Sequence, residues 1–141
     1  MKTITIITLF SLGVNYASAQ KIPEAEVPSL VKATFVKQYP DIKSVKWEKE
    51  DANYEAEFDL KKTETSVLIN PSGSIVETES EIKVSELPKE VSEYVTKNLL
   101  GKKIKEASKI IDTKGVITFE AEIDKVDYIF DAFGKLIKKN K

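Results

Sequence analysis

Six carboxylates stand in two matched hexapeptides, "YEAEFD" from Tyr54 to Asp59 and "FEAEID" from Phe119 to Asp124. On an extended strand, carboxylates at i and i+2 lie about 6.5–7 Å apart along the backbone. That spacing could serve a glycosidase, which works with two carboxyl groups about 5–9 Å apart. Such a pair needs a cleft and one group held protonated by burial. The same oxygens could hold calcium, which takes about 6–8 oxygens at 2.3–2.6 Å, usually from a tight loop. No loop in the sequence has that density, and "DAFG" (Asp131 to Gly134) supplies one carboxylate. The plainest reading is a solvated sheet face, with carboxylates and lysines paired across strands for a few tenths of a kcal/mol each. An exposed, charge-mixed strand offers neither desolvation nor a pocket, so no catalytic activity is expected.

The rest of the chemical inventory is spare. The chain of 141 residues has no histidine and no cysteine, and every cation is lysine. The usual proton shuttle, thiol nucleophile and soft metal ligands are therefore missing. There is no guanidinium fork for phosphate or carboxylate either. A net charge of −1 with mixed signs argues against nucleic acid, which calls for a clustered positive surface. No catalytic residue, metal ligand or cofactor is assigned.

The elements that position the carboxylates follow from periodicity. "MKTITIITLFSLGVNYASAQ" has the charge, short apolar run and Ala17-Ser18-Ala19 of a signal peptide cut after Ala19. An exported chain with no stable membrane insertion is expected, periplasmic or secreted. After a polar lead, Val27, Leu30, Val31, Phe35 and Tyr39 fall at helical spacing between Pro28 and Pro40. Strands follow around Trp47, over "NYEAEFDLKK", over "ETSVLIN" and over "SIVETES", with "NPSG" as a turn. Strict alternation puts Tyr54, Ala56, Phe58 and Leu60 on one face and Glu55, Glu57 and Asp59 on the other. Lys46, Glu48 and Glu50 join the polar side.

The order then repeats. Pro88 opens a helix with Val91, Tyr94, Val95 and Leu99 on one stripe and Gly101 as its stop. Strands follow over "IKEASKIID", "VITFEAEID", "VDYIFD" and "KLIKK". Pro28 to Pro88 is an offset of 60 and Gly73 to Gly134 one of 61. The doubled hexapeptide is thus the middle strand of a helix-plus-four-strand unit used twice. One such unit is marginal at about 60 residues, and two side by side can lengthen one core beneath both helices. Trp47, Tyr54, Phe58, Phe119 and Phe130 are the expected core aromatics.

This order, with "LP..V" opening a helix, then "Y/F-E-A-E-F/I-D", then a "D/N-x-x-G-x-I/L" hairpin, resembles the PepSY-like proteins. These are secreted bacterial proteins described as resembling β-lactamase-inhibitory protein. The resemblance covers about Val27 to Lys138. It implies an α+β fold of two tandem units, with the helices on one face of an antiparallel sheet and the other face open. It carries over no catalytic residue, and the inhibitor label describes shape. The expected division is signal peptide 1–19, first unit 20–83 and second unit 84–141.

The functional expectation is a non-enzymatic module binding a protein or peptide of the cell envelope. The alternative is a small-ligand or cation-binding module using the acidic face, and a carboxylate-dependent hydrolase ranks third. Candidate contacts are Glu55, Glu57, Glu120 and Glu122 on the open face and Phe133 at a hairpin tip. A turn tip gains little by holding a large apolar group in water, so Phe133 either folds back onto the sheet edge, the commoner outcome, or meets a partner.

Overall fold

The computed structural model describes residues 19–140, so the expected signal peptide lies, except for Ala19, outside the described residues. The chain runs through β1 (Gln20–Ile22), a short 3-10 turn, α1 (Ser29–Gln38) and four strands: β2 (Lys46–Glu50), β3 (Asn53–Leu60), β4 (Thr63–Ile69) and β5 (Ile75–Ile82). A second 3-10 turn leads into α2 (Lys89–Asn98), then β6 (Glu106–Asp112), β7 (Ile117–Ile123), β8 (Val126–Asp131) and β9 (Leu136–Asn140). All nine strands form one antiparallel sheet in sequence order, with β5 pairing β6. The class is α+β.

Local chemistry sets the helix ends. Pro28 and Pro88 sit at the N-caps with φ of −54° and −52°, a value the pyrrolidine ring fixes in advance. Tyr39, held out of the helical region by Pro40, ends α1 with φ −129° and ψ 64°. Each helix buries two residues one turn apart, Val31 with Phe35 and Val91 with Val95. Val31 and Phe35 pack on Trp47, Ala56, Phe58, Val67 and Ile69. Val91 and Val95 pack on Ala107, Ala121, Ile123, Tyr128 and Phe130. The register places all these strand residues on one side of the sheet.

Three sequence expectations need correction. β1 falls in the expected polar lead, yet Lys21 pairs Glu48 and Ile22 pairs Trp47. Sixty residues later, Glu81 pairs Ser108 and Ile82 pairs Ala107 in the same arrangement. One core beneath both helices was expected, and the structure has two clusters. Between them the helix side of β5 and β6 carries Thr78, Ser80 and Lys109, whose polar groups resist burial. Leu30, expected on the inward stripe, is half exposed and lies over the β4–β5 turn, where a Cβ on Gly73 would come within 2.8 Å of its Cγ. Of the expected core aromatics, Trp47, Phe58 and Phe130 are buried, while Tyr54 and Phe119 pack at the margins.

Candidate functional site: the acidic face of the sheet

Since both helices cover one side, residues of opposite parity share the other. Strand pairing lines them up in rows. Glu48 faces Glu55, Glu55 faces Leu68, and Leu68 faces Glu77. One step along, Lys46, Glu57, Ser66 and Glu79 succeed one another, and Glu79 faces Ile110. A third row runs Glu81, Ser108, Glu120, Ile129, Lys138. Glu122 lies beside Glu106 and Asp127. The four glutamates expected from the sequence are therefore on one face, as alternation required.

The face is not the solvated surface expected of it. Glu79 and Glu50 are each 1% exposed and Glu55 is 3% exposed. Both carboxylate oxygens of Glu50 and of Glu79 are buried with no hydrogen-bond partner among the described residues, and so is Ser66 Oγ. Burial pushes the Glu55 carboxyl up to about 7, with Ser66 opposing the shift and Glu48 and Glu57 adding to it. Burial pushes Glu50 up to about 8, helped by the charge of Glu55. Glu79 is driven well above the ordinary carboxyl value, first by burial and next by Glu120. Glu120 rises with it, through burial and then Asp127. Burial likewise raises Glu77, where Lys138 opposes, and Asp127. Lys138 is itself lowered by burial, against the pull of Glu120 and Glu77. The physical cause is common to all: low-dielectric surroundings disfavour the charged form.

Glu57 is treated differently. Lys46 Nζ stands 2.6 Å from its carboxylate. The pair borders a cleft of about 560 Å³ formed by the Asp41–Ser44 segment, Phe58, Asp59 and Glu64.

Phe133 belongs elsewhere. It is 82% exposed, so it does not fold back onto the sheet edge. The β8–β9 turn presents it: Asp131 Oδ1 accepts from the Phe133 and Lys135 amides at 2.9 Å each. Gly134 closes the turn at φ +79°, and a Cβ there would meet Pro88 and Glu90 at the start of α2. The turn thus sits against the helix layer, while the four glutamates share the opposite face. Sequence reasoning named Glu48 and Glu50 on the polar side without assigning them as contacts, and left out Glu77 and Glu79. The last two were open to the same alternation argument in "SIVETES".

The chain matches, over residues 15–77 and again over 61–138, the family described as "putative beta-lactamase-inhibitor-like, PepSY-like". No curated protein matches it. Among solved structures it is similar to a "putative periplasmic" protein from Bacteroides eggerthii, with a TM-score of 0.72 and 16% identity over 81% of this chain and 88% of that one. A DUF2874 family protein from Bacteroides uniformis gives 0.71 and 19%, covering 80% and 88%. A BLIP-like protein from Bacteroides fragilis gives 0.64 and 20%, covering 80% and 85%. At these identities the likeness shows the fold.

Proposed function

This chain belongs to the PepSY-like, beta-lactamase-inhibitor-like family, and from that premise we propose that it is a non-enzymatic binding module of the cell envelope. It recognises another envelope protein or a peptide and modulates it. One observation carries the reading. The side of the sheet that neither helix covers holds several buried carboxyls, two of them without a partner among the described residues. A group kept buried at a cost to stability, on a face free for contact, is a mark of a functional surface. Carboxylate catalysis asks for one group held protonated and another held ionised. Burial drives Glu50, Glu55, Glu77, Glu79 and Glu120 in one direction, towards the protonated form, and none of these lines the cleft beside Glu57, which favours binding over turnover.

The reading takes residues 1–19 as a signal peptide cleaved after Ala19, leaving a periplasmic or secreted chain whose first strand begins at Gln20. Similar structures described as periplasmic support that location. It takes the chain as two tandem units, 20–83 and 84–141, in line with the sixty-residue recurrence of strand register and the two matched segments. The second reading is a small-ligand or cation-binding module, favoured by the same raised carboxyls.

The test is crosslinked capture from envelope extract of the source organism, using residues 20–141. Two variants run beside it, Glu57→Lys with Glu122→Lys on the sheet face and Phe133→Ser at the turn. A protein captured by the parent and lost with the charge reversals supports the sheet face as the contact. Loss with Phe133→Ser alone moves the contact to the turn. Capture of nothing above background removes the partner reading in favour of the small ligand.

A further inference from the structure

Of the two carboxyls left without a partner among the described residues, Glu79 lies at the midline of the acidic face and Glu50 lies on β2, near the sheet edge. β5 is the strand that joins the two halves of the sheet, and Glu77 and Glu79 project from it on the helix-free side. The acids acting on Glu79 are Glu77 of its own strand, Glu55 from β3 and Glu120 from β7. Glu48 and Glu57 act on Glu55, and Lys138 from β9 acts on Glu77 and Glu120. Glu79 is buried and neither of its oxygens makes a hydrogen bond of good geometry among the described residues, although the Ser108 hydroxyl lies near enough to oppose its shift; Ser66, its cross-strand neighbour, is buried beside Glu55 and likewise makes no hydrogen bond of good geometry. Leu68 and Ile110 flank these groups as apolar walls.

Resting on the binding reading above, the geometry points to a receptor, centred on Glu79 with Glu55 and Glu120, for an arginine side chain presented by a partner polypeptide. Five considerations select that occupant. The site is acidic, and Lys138 acts on Glu77 and Glu120 but is not among the main influences on Glu79 or Glu55, which calls for a further cation. Among the described residues no group of three carboxylates is placed to hold a metal ion, which favours a larger organic cation. A guanidinium brings five N–H donors in a planar fork, enough to serve several carboxyl oxygens at once, and it tolerates burial better than an ammonium. The chain has no arginine, so it cannot supply that fork itself. The walls of Leu68 and Ile110 suit the aliphatic stem of such a side chain.

Occupation by a guanidinium requires ionised carboxyls. Protons held by these carboxyls leave as the cation binds, so binding strengthens with pH.

The experiment is titration calorimetry of residues 20–141, which contain every described element, with acetyl-hexa-arginine amide. The neutral hexa-citrulline and the hexa-lysine peptides serve as controls. Each titration is run in phosphate and in Tris, whose different ionisation heats count released protons. The variants are Glu55→Gln with Glu79→Gln and, on exposed positions of α2, Glu90→Gln with Glu93→Gln, which replaces as many carboxyls.

The expected result is binding of hexa-arginine at least tenfold tighter at pH 8.5 than at pH 6, with proton release and weaker binding of hexa-lysine. It should fall at least tenfold in the sheet pair and stay within twofold in the helix pair. Equal losses in both pairs, no proton release, or no binding of hexa-arginine at pH 8.5 overturns the inference, and parent-chain pH dependence decides it even if a variant misfolds. An envelope partner captured by a chain that ignores hexa-arginine sinks this receptor and leaves the binding module standing. Hexa-arginine binding without any captured partner leaves the guanidinium site standing and overturns a partner polypeptide as its source.

Discussion

Replacing Glu55 by glutamine should flatten the dependence of stability on pH. Glu55 holds its proton up to about 7 in the folded chain, against 4.5 for an ordinary glutamate. Below pH 4.5 both states are protonated and the group contributes no difference. As pH rises from 4.5 to about 7, the unfolded chain ionises freely while the folded chain resists. The folded state then binds more protons, so stability falls over that window and levels off above it. At about 1.4 kcal/mol per pH unit the window amounts to roughly 3 kcal/mol for this group. Glutamine keeps the size and a hydrogen-bonding head beside Ser66, but cannot ionise.

The assay is urea unfolding of residues 20–141 at half-unit intervals from pH 5 to pH 8.5. The parent chain should lose about 3 kcal/mol or more across that range, because Glu50, Glu79 and Glu120 shift in the same direction. The Glu55→Gln chain should lose about 2 kcal/mol less. A parent chain whose stability is flat or rising from pH 5 to pH 8 would refute the reasoning. So would a variant with the parent's slope. Either result would return the acidic face to an ordinary hydrated sheet surface.

Other outcomes can be checked by the same unfolding measurement at fixed pH. Gly134→Ala should cost about 2–4 kcal/mol, because its φ is +79° and the new Cβ would lie 2.6 Å from Glu90 Cβ and 3.3 Å from the Val91 amide. Phe133→Ser should leave stability within about 0.5 kcal/mol, given an 82% exposed side chain, so any loss of capture by that variant reports a contact. In the two-residue β3–β4 turn Lys61 and Lys62 have φ of 53° and 70°, and Asn with Gly there should stabilise the chain by about 1 kcal/mol.

The two helices, the inward face of β3 and β7 and the turns at Gly73 and Gly134 were legible because each writes a local period or a required φ into consecutive residues. Alternation also assigned Glu55, Glu57, Glu120 and Glu122 to one face. β1 escaped because three residues are too few to show a period, and its strand character comes from pairing with β2. The span from Ala56 to its partner Val67 is four residues longer than that from Ala121 to its partner Tyr128. The structure distributes the excess as longer hairpin arms around turns of equal size: Leu60 pairs Thr63 across Lys61-Lys62, and Ile123 pairs Val126 across Asp124-Lys125.

The sequence by itself determined the class, the repetition of the pattern and the side of the sheet on which each carboxylate stands, since these depend on contacts between near neighbours along the chain. Tertiary structure decided that the strands form one nine-stranded sheet, that the core divides in two at Thr78, Ser80 and Lys109, and that Glu50, Glu55 and Glu79 are buried while Phe133 is not. A glutamate on an outward position reads the same whether water or other side chains surround it. Its desolvation, and with it its proton affinity, is set by residues distant in sequence, so only the assembled fold could assign it.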